Sequence, residues 1–318
     1  MNSQMDSKEY LNLLDENDKR LKEDNLHKWE VLKESLYNFR NGEFFGRDWQ
    51  SWWRTVAFHL GFYACLVLLY ITLLGFFALI GDEIYPIQMG KNSALQEIPG
   101  MAIRPVSDFE TTLIHFIQGK PATYKPHTDH IQTILDQYEN EKQVGENFID
   151  CDLGKPEGME QKVCRFNVDK LGGMCTWQKD FGYDEGQPCV VLKLNRLMEW
   201  IPDTYKSSSD IPLDEDNPHD ARDRWHPDFI GVSCHGRYDA DIENIGNLTY
   251  YPPEGFPRFF YPYLNQEGFR SPLVMVRFEN PVNGVLINVV CKAWANNITP
   301  RHNENDRLGL VTFELLVD

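Results

Sequence analysis

Residues 55–81 read TVAFHLGFYACLVLLYITLLGFFALIG, a run without Asp, Glu, Lys or Arg. As a helix it is long enough to cross roughly 30 Å of bilayer hydrocarbon with some tilt. No second run of this kind occurs in the sequence, which predicts a tail, one crossing and one large domain. A core helix of a soluble protein is usually shorter and carries a polar stripe. Here the polar atoms past Thr55 are those of His59, Tyr63, Tyr70, Thr72 and Cys65. The run starts too deep in the chain for a cleaved signal peptide and reads as an uncleaved signal anchor.

Flanking charge predicts the orientation. Arg40, Arg47 and Arg54 precede the run, whereas Asp82 and Glu83 follow it with no basic residue before Lys91. The positive-inside rule then places the N-terminus in the cytoplasm. Trp49, Trp52 and Trp53 stand where an interfacial aromatic belt belongs. Cysteine usage agrees. Cys65 lies in the run, and Cys151, Cys164, Cys175, Cys189, Cys234 and Cys291 all follow it, an even set suited to an oxidising compartment. Two glycosylation sequons, at Asn247 and Asn297, fall in the same outer part.

The formal net charge is −17. Residues 1–54 hold 9 basic and 11 acidic side chains, so most of the acidic excess lies beyond the crossing. Nucleic acid, which needs a basic face, is excluded as a partner. The composition suits a soluble exposed domain, and residues 82–318 suffice for one sizeable core.

In the tail, Leu11, Leu14, Leu21, Leu32, Leu36 and Phe39 hint at an amphipathic helix in an otherwise charged, solvated segment. Within the apolar run, His59, Phe62, Tyr63, Leu66 and Tyr70 share one helical face. Lipid offers polar groups no partners, so this face is expected against another protein helix. Residues 82–147 read as an irregular stalk followed by helical segments. Phe109, Leu113, Phe116 and Ile117 suggest a short helix ending at Gly119-Lys120-Pro121, and Ile131, Ile134, Leu135 and Tyr138 a second. His127 and His130 have no third ligand in view and read as surface histidines; no metal site or cofactor is expected. From 148 to 318 short strands and turns dominate. Strands are predicted around 190–194, 274–278, 287–293 and 311–317, a hairpin turn at Pro281-Val282-Asn283-Gly284, and a long surface loop over 202–229. The pattern suggests an antiparallel β-sandwich. Six cysteines allow 15 pairings, and sequence order favours neighbours.

Several motifs together resemble one family, the β subunits of the Na⁺/K⁺- and H⁺/K⁺-transporting P-type ATPases. Phe181-Gly182-Tyr183, Gly186, Pro188-Cys189 and Lys193-Leu194-Asn195-Arg196 resemble its FGY..G.PC...KLNR signature. Cys234-His235-Gly236 with Gly246-Asn247, Gly255-Phe256-Pro257 with Tyr261-Pro262-Tyr263, and Cys291-Lys292-Ala293 are similar to further elements of it. Phe62-Tyr63 and Cys65 fall at its membrane FYxC. His59 replaces a further aromatic residue, and the long tail and few sequons fit an invertebrate member.

The resemblance implies a single-pass type II plasma-membrane glycoprotein: one transmembrane helix, an Ig-like sandwich with short helical insertions, and three sequential disulfides. It implies a non-catalytic regulatory subunit that helps a catalytic α subunit fold, reach the surface and tune its K⁺ affinity. Lipid and a small single-span regulatory subunit are further implied partners. Phe62, Tyr63, Leu66 and Tyr70 become the implied α-subunit contacts, and Tyr261, Pro262 and Tyr263 a structural or contact strand. Two alternatives come from other classes. One is a pump-independent adhesion glycoprotein. The other is a type II luminal glycosyltransferase, suggested by Asp239-Ala240-Asp241 and Asp150-Cys151-Asp152 but lacking any βαβ pattern around them.

Overall fold

The computed structural model describes residues 26–29, 31, 37–38, 43–45, 47–81, 85–86, 98–106, 111–151, 154–212, 220–298, 301–302 and 307–318. The leucines noted in the tail, with Phe39 and Phe109, lie outside them. The chain divides into two units, 1–81 and 82–318.

The first unit is dominated by one helix, α1 (Trp49–Ile80). Asp48 is extended and its carbonyl accepts from Trp52 N–H at 3.0 Å, which starts the ladder ahead of the apolar run. Gly81 turns extended at the other end. Leu, Phe and Ala dominate the middle, and no residue of α1 is buried. It is long and apolar enough to cross a membrane.

The second unit is a two-sheet sandwich. Its strands are β1 (Met101–Arg104), β2 (Leu113–Phe116), β3 (Cys189–Leu194), β4 (Phe229–Gly236), β5 (Leu248–Tyr251), β6 (Phe256–Pro257), β7 (Leu273–Phe278), β8 (Ile287–Trp294) and β9 (Leu310–Val317). One sheet runs β6-β4-β8-β9-β2 and the other β1-β3-β7-β5. Helix α2 (Pro121–Leu135) follows β2, and α3 (Asp239–Asn244) follows β4. Alternation drives the burial: Ile287, Val289, Cys291 and Ala293 of β8 and Phe313, Leu315 and Val317 of β9 are all essentially inaccessible. The sheets meet through Phe278 and Phe313, edge to face at 6.1 Å, and through Tyr250, whose hydroxyl accepts from Cys234 N–H at 2.8 Å.

Five expectations are corrected. Residues 113–116 form a strand, not a helix: β2 pairs with β9 in parallel, Ile114 opposite Leu315, and it is the only parallel pair in the two sheets. A long-range partner overrides the local helical spacing here. With β1 in the other sheet, both 101–104 and 113–116 belong to the sandwich, which therefore begins upstream of 148. The turn at 281–284 is not a hairpin, because β7 and β8 lie in different sheets and the turn carries the chain between them. His127 is buried, not on the surface. The polar 202–229 segment is more than a surface loop, because Tyr205, Ile211 and Ala221 join Trp294 in a small second core.

Candidate interaction surfaces

Three disulfides staple the sandwich: Cys151–Cys164, Cys175–Cys189 and Cys234–Cys291. The third joins directly opposed residues of the neighbouring strands β4 and β8 within one sheet. The second hooks the 175–188 loop to the start of β3. The first links the two-residue strands Phe148–Ile149 and Val163–Cys164 near their ends.

The residues that resemble family signatures are placed mainly to build this fold. Phe181 and Tyr183 are fully buried; Tyr183 packs on Phe116 at 4.7 Å and on Tyr124 and His127 at 6.3 and 6.0 Å. Between them Gly182 has φ +79, and a Cβ there would sit 2.2 Å from the carbonyl oxygen of Gln187. Gly255 is held likewise, with φ +112 and a Cβ position 2.1 Å from the Ile230 carbonyl. Two motifs distant in sequence meet at Arg196. Its guanidinium lies 5.5 Å from the Tyr263 ring and 5.4 Å from Phe269, and it donates to the Phe269 carbonyl at 3.2 Å. The Tyr263 carbonyl accepts from Glu199 N–H, and its hydroxyl donates to Asn265. Tyr261 is buried against Trp200, its hydroxyl without a partner, and burial pushes its pKa upward. Pro262, between these tyrosines, is partly buried after a cis peptide bond.

A cleft of about 940 Å³ opens beside the first disulfide, lined in part by Phe166, Phe229, Phe259, Arg165, Arg258 and Asp228. Its arginines are paired, Arg258 with Asp228 and Arg165 with Asp150, both at 3.0 Å. Two of the aspartates that suggested a glycosyltransferase, Asp241 and Asp150, serve the fold instead. Asp241 is buried, accepts from Tyr238 N–H at the start of α3 and from Asn288 N–H on β8. Asp150 forms the pair just described, and Asp152 lies outside the described residues.

Helix α1 presents the opposite picture. Phe62, Tyr63, Leu66 and Tyr70 are 49, 59, 44 and 63% exposed. Phe58 and Phe62 stack at 6.3 Å, Phe62 and Tyr63 meet edge to face at 5.6 Å, and His59 tilts over Tyr63 at 6.4 Å. The helix backbone already serves several polar groups. Thr72 Oγ1 donates to Leu68 O at 2.7 Å, and Thr55 Oγ1 to Ser51 O at 3.0 Å. His59 Nδ1 sits 2.8 Å from Thr55 O; a carbonyl only accepts, so Nδ1 carries a hydrogen and donates it. Helix α1 thus carries an aromatic face of which no residue is buried. Sequence spacing found the face; the Nδ1 bond of His59 needed coordinates.

One apolar helix joined to a disulfide-stapled Ig-like sandwich defines the class: a single-span protein whose bulk lies on one side of the membrane. The family of sodium/potassium ATPase beta chains matches residues 22–313, and the chain belongs to that family. It is 35% identical over 307 residues to the sodium/potassium-transporting ATPase subunit beta-2 of Drosophila melanogaster, covering 90% of this chain and 92% of that one. It is also 35% identical to the beta-1 subunit of the same organism over 295 residues, 92% and 94% covered. Against the human beta-2 subunit the identity is 26% over 305 residues, 91% and 94% covered.

Proposed function

We propose that this chain is the non-catalytic β subunit of a Na⁺/K⁺-transporting ATPase at the plasma membrane, with its tail in the cytoplasm and its sandwich outside. It serves by binding a catalytic α subunit, which it helps to fold and deliver and whose K⁺ affinity it tunes. The observation that carries this reading is the aromatic face of α1, built from Phe62, Tyr63, Leu66 and Tyr70, none of them buried. Lipid does not reward that arrangement, whereas a neighbouring transmembrane helix does, through packing and through hydrogen bonds to Tyr63, Tyr70 and His59. Each such bond is worth about 1 kcal/mol, so association draws on the sandwich as well.

The test is co-expression with an α subunit of the same organism. Solubilised wild-type chain is expected to co-purify with α and to bring it to the cell surface. Phe62→Leu with Tyr63→Leu is expected to cut recovered α several-fold while leaving the sandwich folded and its disulfides formed. Unchanged recovery would remove the face from the interface.

A further inference from the structure

The fold treats its two Asn-X-Thr sequons differently. Asn247, just ahead of β5, is exposed, and among the described residues its carboxamide meets no hydrogen-bond partner; only its backbone carbonyl is engaged, accepting from Glu279 N–H at 2.9 Å. Asn297 is also exposed, yet both ends of its carboxamide are committed. Nδ2 donates to the Ile201 carbonyl at 2.8 Å, and Oδ1 accepts from Asp203 N–H at 3.0 Å. Asn296 closes the same seam, its N–H donating to Asp203 O at 2.7 Å and its Nδ2 to Thr204 O at 3.4 Å. Ala295 and Ile298 on either side are buried and bridged to each other, which fixes the turn. The segment held this way carries Tyr205 into the second core, where Trp225 Nε1 donates to its carbonyl at 3.1 Å.

We propose that Asn297 is a clasp for residues 201–205 rather than a glycan acceptor, and that Asn247 carries the N-linked sugar. Both contacts of the Asn297 carboxamide reach one short segment, so they use the edge that bears Oδ1 and the hydrogen cis to it. A glycosidic bond at an asparagine keeps the trans amide geometry, which puts the sugar carbon in place of that same hydrogen. The sugar and the Ile201 carbonyl therefore compete for one position. Sugar transfer precedes folding, so a chain modified at Asn297 cannot close the seam as it stands here.

The sugar half of this inference rests on the outward orientation proposed above; the clasp half does not. The experiment uses the full chain co-expressed with α in a eukaryotic secretory host, as wild type and as Asn247→Gln, Thr249→Ala, Asn297→Gln and Thr299→Ala. Intact mass is read with and without peptide N-glycosidase, and cleavage within 201–212 by limited proteolysis. One glycan is expected on wild type, on Asn297→Gln and on Thr299→Ala, and none on Asn247→Gln or Thr249→Ala. Asn297→Gln is expected to speed cleavage roughly fivefold, and Thr299→Ala, which destroys the sequon but keeps the asparagine, to leave it unchanged. A glycan lost from either 297-region variant would overturn the sugar assignment. Equal proteolysis of Asn297→Gln and Thr299→Ala would overturn the clasp. A wild type with neither glycan nor disulfides would overturn the sugar assignment together with the orientation beneath it, while the proteolysis contrast would still decide the clasp.

Discussion

Helix α1 and the sandwich use the same aromatic residue types to opposite ends. Phe62 and Tyr63 stand about half exposed on α1, and among the described residues their ring contacts are to helical neighbours. Phe181 and Tyr183 sit one glycine apart in the sandwich, both fully buried, Tyr183 among Phe116, Tyr124 and His127 and Phe181 against Trp177. Both pairs fall in motifs that resemble family signatures. The first pair stays exposed, and the second completes the core. A motif shared across a family therefore marks two placements here, an exposed helix face in one unit and a fold's interior in the other. Substitutions separate the two placements.

The largest effect is expected at Tyr183. Tyr183→Ala empties a fully buried aromatic site and should cost about 3–5 kcal/mol of sandwich stability by denaturant unfolding. Tyr183→Phe should be neutral or slightly stabilising, because the buried hydroxyl has no hydrogen-bond partner to lose. A large loss in the Phe variant would mean that the hydroxyl does work not visible in the fold. The disulfides come next. Cys234–Cys291 closes a separation of 57 residues and Cys151–Cys164 one of 13. Loop-closure entropy values these at about 4 and about 3 kcal/mol. Replacing each pair with alanine and measuring unfolding midpoints should preserve that order, and an inverted order would assign the first loop a structural role beyond its entropy.

On α1 the same class of change should leave stability alone. Tyr70→Leu removes a hydroxyl from an exposed site and is expected to leave sandwich unfolding within about 0.5 kcal/mol of wild type. Its effect should show only in the recovery of α from detergent, by up to about tenfold if one interhelical hydrogen bond is lost. A stability change in the sandwich would break the division between the units.

Much of this was legible in the sequence, for physical reasons that also explain the gaps. An uncharged run of bilayer length announces itself by composition. The strands at 189–194, 273–278, 287–294 and 310–317 announce themselves by alternation, since each presents one face to the core. Strand β2 does not: Leu113 to Phe116 is short, and its partner β9 lies some two hundred residues on, in parallel register, with no turn to signal the pairing. The turn at 281–284 carries hairpin residues, including Gly284 at φ +75, but turn chemistry is local and cannot say which sheet the next strand joins. Tyr205 and Ile211 sit in a polar, Pro-rich stretch where composition predicts exposure; Trp294, far along the chain, buries them.

His127 is the sharpest case of a residue whose surroundings the sequence hid, and it gives the smallest prediction. Its Nε2 donates to the His115 carbonyl at 3.1 Å, while Nδ1 is buried with no partner. Protonation would add a buried donor at Nδ1. Burial is the main reason its pKa lies below the ordinary histidine value, with the neighbouring His115 and His130 adding to the effect and the His115 hydrogen bond opposing it. His130 is lowered too, by burial and by Arg104, and its Nδ1 accepts from Val106 N–H at 3.2 Å, a bond lost on protonation. The acidic groups near them engage other partners: Asp318 meets His115 Nε2 at 2.8 Å, and Asp184 accepts from the Tyr124 hydroxyl at 2.8 Å. A histidine lowered in the folded state takes its proton first in the unfolded chain, so stability falls as pH drops below about 6.5. The loss is about 1.4 kcal/mol for each unit separating folded and unfolded values. His127→Gln keeps a donor for the His115 carbonyl and cannot charge. Urea unfolding at pH 7.5 and 5.5 should therefore show a smaller acid loss in the variant than in wild type. Equal losses would place the acid sensitivity of this domain at groups other than His127, His130 first among them, and return His127 to the role of simple filling.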